Sequence, residues 1–237
     1  MQYIDAKGLD FQALNEIVRN IPGDATIQNC LGHRFIGAGR ASGRLILEGI
    51  SGNAAGCYLN GGEIIIRGNA QDAVGDTMND GQIVIHGSVG DAAGYAMRGG
   101  SIFVKGNAGY RAGIHMKAFG EKVPSVVIGG RAGSFLGEYQ AGGNIVVLGL
   151  GCSDEKLLGA FCGTGMHGGK IWFRAVTPPQ HFPPQCKLNK EEDISAIAPL
   201  VDKYFALFGG SLPQDGKSFW SLTPNSANPY QQMYCQN

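Results

Sequence analysis

The sequence predicts an all-β protein, a right-handed parallel β-helix of about seven coils of ~19 residues with a short helix at each end. Three observations carry that prediction. Glycine supplies 39 of 237 residues, against an average share of about 7%. Of these, 35 lie within residues 23–169, whereas eight of the ten prolines follow residue 177. A heptapeptide with three central apolar residues then recurs seven times, six of them opening with glycine. It reads Gly43-Arg-Leu-Ile-Leu-Glu-Gly49, Gly62-Glu-Ile-Ile-Ile-Arg-Gly68, Gly81-Gln-Ile-Val-Ile-His-Gly87 and Gly100-Ser-Ile-Phe-Val-Lys-Gly106. It continues as Pro124-Ser-Val-Val-Ile-Gly-Gly130, Gly143-Asn-Ile-Val-Val-Leu-Gly149 and Gly169-Lys-Ile-Trp-Phe-Arg-Ala175. The starts are 19, 19, 19, 24, 19 and 26 residues apart, a unit of 19 with insertions of five and seven. Finally, the glycine-rich returns between strands are too short and too broken for crossover helices, so each coil must stack on the next.

The boundaries follow composition: a helical cap over 1–22, the repeat over 23–175, and a C-terminal helix with an extended arm over 176–237. In the cap, Asp10 is placed to N-cap a helix with Phe11, Leu14, Ile17, Val18 and Ile21 on one face, stopped by Pro22 and Gly23. It would close the open end of the solenoid. A weaker unit opens at Asp24, and Gly37 shares a slot with Gly56, Gly75, Gly94, Gly113 and Gly137. Within the repeat, two ladders are predicted to fill a narrow interior. One is Leu59, Met78, Met97, Met116, Gln140 and Met166; the other is Ala55, Val74, Ala93, Ala112, Leu136 and Cys162. A left-handed hexapeptide helix would need an apolar residue every six positions, which this unit lacks.

All three central strand positions are apolar, so both sheet faces are hydrophobic. Eight strands at ~4.8 Å make a sheet about 34 Å tall. In the tail, Asn189-Lys190-Glu191-Glu192 reads as a capping box. Behind it, Ile194, Ile197, Leu200, Val201, Tyr204, Phe205 and Phe208 form an apolar stripe ending at Gly209 and Gly210. A helix over 190–208 would be about 28 Å long and could cover the outer face; a partner protein is the other candidate. Phe219, Trp220, Tyr230 and Tyr234 read as an extended arm lying on a surface.

Composition excludes several classes. Hydrophobic residues at 43% and charged residues at 16% argue against disorder. Equal numbers of basic and acidic residues, 19 each, leave no nucleic-acid footprint. There is no signal-like N-terminus and no apolar run of membrane length, so a cytoplasmic protein is expected. Cys30, Cys57, Cys152, Cys162, Cys186 and Cys235 form no CxxC pair and no zinc spacing, and reduced thiols are expected.

The chain offers no catalytic, cofactor-binding or metal constellation. Asp72, Asp76, Asp80 and Asp91 fall in turns that favour Asp for geometric reasons. His33, His86, His115, His167 and His181 share no ladder; His167, in Gly163-Thr-Gly-Met-His-Gly-Gly169, is best explained as part of a turn. Cys152 sits in the seven-residue insertion with no basic neighbour in sequence, and Cys162 is predicted to be inert core. The Gly-x-Gly segments open no helix and so are not dinucleotide fingerprints.

Gly68-Asn-Ala-Gln-Asp-Ala-Val-Gly75-Asp-Thr-Met78-Asn-Asp-Gly81 and Gly106-Asn-Ala-Gly109-Tyr-Arg-Ala-Gly113-Ile-His-Met116 resemble the GXGXG repeat of the glutamate synthase large (alpha) subunit's C-terminal domain. The same repeat occurs in one of the subunits of formylmethanofuran dehydrogenase. Ile4-Asp-Ala-Lys-Gly8, Leu31-Gly-His-Arg-Phe-Ile-Gly-Ala-Gly39, Gly129-Gly-Arg-Ala-Gly133 and Leu136-Gly-Glu138 are similar to the stand-alone, archaeal-type form. So is the tail Pro224-Asn-Ser-Ala-Asn-Pro-Tyr230 with Tyr234, although Asn228 replaces an expected basic residue. The resemblance implies a non-catalytic scaffold bracing a glutamine amidotransferase and an FMN and Fe–S synthase, both on other chains, with those cofactors on the partners. Self-association is compatible with it. Met1-Gln2 presents no N-terminal cysteine nucleophile of the amidotransferase kind. Formylmethanofuran dehydrogenase-type or other amidotransferase-linked complexes are the alternative, and a carbohydrate-active β-helix enzyme a remote one. The ladder assignment predicts that Met97→Lys, which buries an unpaired charge at a cost of several kcal/mol, abolishes or sharply lowers the cooperative thermal transition.

Overall fold

The computed structural model describes residues 1–225. Nine parallel strands follow chain order: β1 (Gln2–Asp5), β2 (Ala25–His33), β3 (Arg44–Ser51), β4 (Asn60–Arg67), β5 (Asp80–Ile85), β6 (Ser101–Val104), β7 (Ser125–Ile128), β8 (Ala141–Val147) and β9 (Gly168–Ala175). This is a parallel β-solenoid of about eight turns. The turn beyond the predicted seven is the weak opening unit, whose strand begins at Ala25 after Asp24 rather than glycine.

Register aligns the repeats side chain by side chain. Leu45, Ile64, Ile83, Ile102, Val126, Ile145 and Ile171 pair in sequence, as do Leu47, Ile66, Ile85, Val104, Ile128, Val147 and Phe173. Alternation sends both rows inward, and every member is fully buried in one continuous core. Across the interior lie both ladders expected from sequence, buried throughout, Cys162 and Gln140 included. Gln140 is the one polar member and donates from Nε2 to the carbonyls of Gly142 and Gly143 at 3.2 and 3.0 Å.

The returns are arcs of alternating left-handed residues. In the first regular one, Ala54, Gly56 and Tyr58 have φ of 58°, 67° and 55°. The middle glycine faces the core. A Cβ on Gly56 would lie 2.6 Å from Ile83 Cδ1, and one on Gly75 2.6 Å from Ile102 Cδ1. Positive φ and contact with the sheet together exclude a side chain there. The insertions fall where the spacing places them. One forms a small hairpin in which Phe119 and Lys122 exchange backbone hydrogen bonds, and the other contains a 3-10 turn at Asp154–Lys156.

At the N-terminal end, α1 (Phe11–Arg19) is capped by Asp10, whose carboxylate accepts from the Ala13 amide at 2.8 Å. Leu14 and Val18 seal the core while Ile17 remains exposed. The cap also contributes β1, which adds to the sheet edge beside β2.

The C-terminal region corrects three expectations. Asn189 to Glu191 do not cap a helix; they close β10 (Cys186–Glu191), antiparallel to β11 (Ser218–Pro224), which pairs antiparallel with β9. Glu191 finds its partners far away, an ion pair with Lys170 at 2.7 Å and a hydrogen bond from Ser221, and local capping cannot compete. The helix α2 (Ala198–Phe208) is therefore shorter, 11 residues or about 16 Å. Phe219 and Trp220 belong to β11 rather than to a surface arm; Asn228, Tyr230, Tyr234 and Cys235 lie outside the described residues.

The outer face carries the row Ile46, Ile65, Val84, Phe103, Val127, Val146 and Trp172. Ile197, Val201 and Tyr204 pack on its upper part, making a second core with Phe103, Val127, Val146 and Trp172. Tyr204 Oη donates to the Lys105 carbonyl at 3.0 Å. The helix ends where Phe208 meets His86 edge-on, and Ile46 and Ile65 stay half-buried beyond it. The cover is thus a helix from this chain over the upper coils. Gly75→Ala should destabilise the protein by about 1–3 kcal/mol, read as a lower urea midpoint at unchanged slope.

Candidate functional site

All the turn carboxylates but Asp76 act between coils. The Asp91 amide donates to Asp72 Oδ1 at 2.9 Å, and the Tyr110 amide donates to Asp91 Oδ1 at 2.8 Å, in a row begun by Asn53. Asn69, Ser88 and Asn107 form a second such row, each side chain accepting from a backbone amide one coil on. Asp76 accepts from the Thr77 hydroxyl. Asp80 accepts from the Gly81 amide and pairs with Lys122 at 2.7 Å; Lys122 first, then that amide, holds its carboxyl below the ordinary value. Each predicted turn acid therefore has a place in the fold.

The histidines are dispersed. His33 lies between the Leu9 carbonyl, 3.0 Å from Nε2, and the Leu31 amide, which donates to Nδ1. His86 sits against Phe208, where burial foremost, aided by Arg67 and Lys105, lowers its pKa. His167 Nδ1 lies 3.2 Å from the Gly165 carbonyl, in the turn that feeds β9. His181 is exposed. Among the described residues, no group of His, Cys, Asp and Glu could hold a metal ion. Burial raises the thiol pKa of Cys162, and that of Cys30 to about 12. Cys152 does have a basic neighbour, brought by tertiary structure: Lys217 Nζ donates to its carbonyl at 2.8 Å.

A cleft of about 640 Å³ lies between α1 and the first arc, lined by Phe11, Asn15, Val18, Phe35, Gly39 and Arg40. Its charges are engaged. Arg40 donates to the Ile21 and Gly23 carbonyls, and Glu16 pairs with Arg19 at 2.8 Å.

The feature that sequence reading missed is on the arcs. The left-handed slot held by Phe35 in the opening coil and by Ala54, Ala73 and Ala92 in the next three is filled by Arg111, Phe135 and Phe161 in later coils, at φ of 57°, 60° and 61°. The slot held by Tyr58, Thr77 and Ala96 becomes His115 and Tyr139. Left-handed backbone costs an L-residue roughly 1–2 kcal/mol, and these larger side chains bear that cost at the surface. They stack along the axis. Phe135 and Phe161 have centroids 4.9 Å apart, and His115 and Tyr139 lie 5.1 Å apart and 9° from parallel. Arg111 stacks on Phe135 and pairs with Glu138 at 3.0 Å. A search for unlike residues at equal repeat positions would have found this cluster.

The model of the GXGXG motif family matches residues 12–215. The chain belongs to the GXGXG family. An uncharacterized protein of Methanocaldococcus jannaschii is 41% identical over 250 residues, covering 98% of this chain and 95% of that relative. The GXGXG domain occurs in glutamate synthase. No described helix is long and apolar enough to cross a membrane.

In this GXGXG chain, carboxylates hold the C-terminal segment to the solenoid. Asp154 accepts from the Val176 and Thr177 amides at 2.8 and 2.9 Å and faces Lys217 at 3.4 Å. Burial pushes its pKa up, but those amides and Lys217 outweigh it and the net shift is downward. Glu191 behaves alike, burial being outweighed by Lys170 and Ser221. Arg174, fully buried, adds an ion pair to Asp215 at 2.6 Å. A carboxyl with a depressed folded-state pKa stabilises fully above its unfolded value and loses that contribution as pH falls through the folded value. The melting temperature should therefore decline slightly from pH 7 to 5, where His86 protonates more readily in the unfolded chain, and fall more steeply below about pH 4 as the carboxylates protonate. Asp154→Asn should lower it at neutral pH and shrink the acid decline, as thermal melts across pH would show.

Proposed function

We propose that this chain is the structural subunit of a glutamate synthase-like complex, bracing a glutamine amidotransferase against an FMN and Fe–S synthase carried on other chains. The observation that carries this reading is that a GXGXG domain accounts for nearly all of the sequence. The architecture is consistent with it. Every coil is locked to its neighbours by backbone hydrogen bonds, reinforced in the middle coils by two polar side-chain rows, so the solenoid suits a rigid spacer. Glutamine hydrolysis and reduction of the iminoglutarate formed from 2-oxoglutarate and ammonia would take place on the partners. This chain would supply fixed geometry between them, which matters because ammonia lost to solvent is lost to synthesis.

The test is co-expression with the amidotransferase and flavoprotein chains of the same host. A co-purifying, flavin-coloured assembly is expected, with glutamine-dependent glutamate formation falling about tenfold or more when this chain is omitted. Full coupled activity from the other chains alone would sink the proposal.

A further inference from the structure

The stacked residues on the arcs between β5 and β9 are not required for closing the solenoid, because Ala92 and Ala96 fill the same two slots one coil earlier at similar backbone angles, with Phe35 and Tyr58 holding them in the first coils. Exposed aromatic side chains clustered where alanine also fits point to use. Tyr139 and Phe161 stand 36% and 62% exposed, and Tyr95, 39% exposed, meets His115 edge-on. The array rests on hydrogen-bonded coils, so little side-chain freedom remains to be lost on binding.

We infer that this arc face docks a partner protein whose surface has an apolar centre and an acidic rim; on the functional reading above, on which this inference rests, that partner is the flavin-carrying chain. Aromatic residues with arginine are the composition of interface anchors. The acidic rim follows from charge. Arg98 and Lys117 flank the cluster, exposed and without an ion pair among the described residues, whereas Glu138 is already paired with Arg111. An oligosaccharide or nucleobase fits less well. Such ligands stack on open ring faces, and here Phe135 faces Phe161 and His115 faces Tyr139. The outer sheet face is a weaker candidate because α2 already covers its upper coils.

The experiment titrates the full chain against the purified flavoprotein. Phe135→Ala and Tyr139→Ala each install the residue already present at Ala92 or Ala96, so both variants should keep the wild-type melt. Each is expected to weaken binding about tenfold or more. Lys117→Glu should slow association and reduce its salt dependence. Tyr3→Ala, an exposed aromatic on β1, should bind as wild type. Wild-type affinity in the Phe135→Ala, Tyr139→Ala double variant would overturn the surface assignment while leaving the functional reading intact. A melt lowered in step with the affinity would overturn it too, by making the stacks structural. So would displacement of the flavoprotein by soluble oligosaccharide. No binding of the wild-type chain to the flavoprotein would overturn the functional reading and this partner together.

Discussion

The contact between arc glycines such as Gly56, Gly75, Gly113 and Gly137 and the isoleucines of the sheet sets the rest of the architecture. With Gly56 against Ile83 and Gly75 against Ile102, no room remains for a β-carbon, so the two walls of these coils stand close together. That separation admits one row of alanine, valine or leucine and one of methionine between the walls. Methionine suits the second row because its flexible thioether fills irregular gaps. A regular repeat follows, since a coil with a different gap could not hydrogen-bond to both neighbours.

Stacking solves the backbone's hydrogen bonds within the pile and leaves the problem at its ends and faces. The lower end is closed by α1, with Leu14 and Val18 on the core and Asn15 donating to the Arg34 carbonyl of the first arc. The upper end is closed by changing direction: β11 and β10, joined through α2, turn the parallel sheet antiparallel and place a solvated strand pair at its edge. An exposed parallel edge would invite pairing with other chains. The outer face is covered by α2 from Trp172 down to His86.

Polar residues in the turns serve a similar end. Rows such as Asn53, Asp72 and Asp91 satisfy amides of the following coil, so acids that would suggest catalysis in isolation act as joints. Where a later coil carries Phe135 or Tyr139 in place of alanine, the backbone is the same and only the outward surface differs. The solenoid thereby separates stability, written in glycines and inward residues, from recognition, written in outward slots.

Sequence alone determined the solenoid, its inward ladders and the Asp10-capped helix, because each depends on periodicity or on contacts three residues apart. It could also place the domain in its family, since the repeat is dense in glycines at required positions. The tail was decided by tertiary structure. Asn189 to Glu191 carry a local helix signal, yet Glu191 meets Lys170 and Ser221 and the segment becomes a strand. Arg174 is buried and charged at the end of its strand because the loop after α2 brings Asp215 to it, a contact no local pattern announces. The arc aromatics were visible as residues but not as a cluster, because only the stacking of coils brings side chains 24 or 26 positions apart into ring contact.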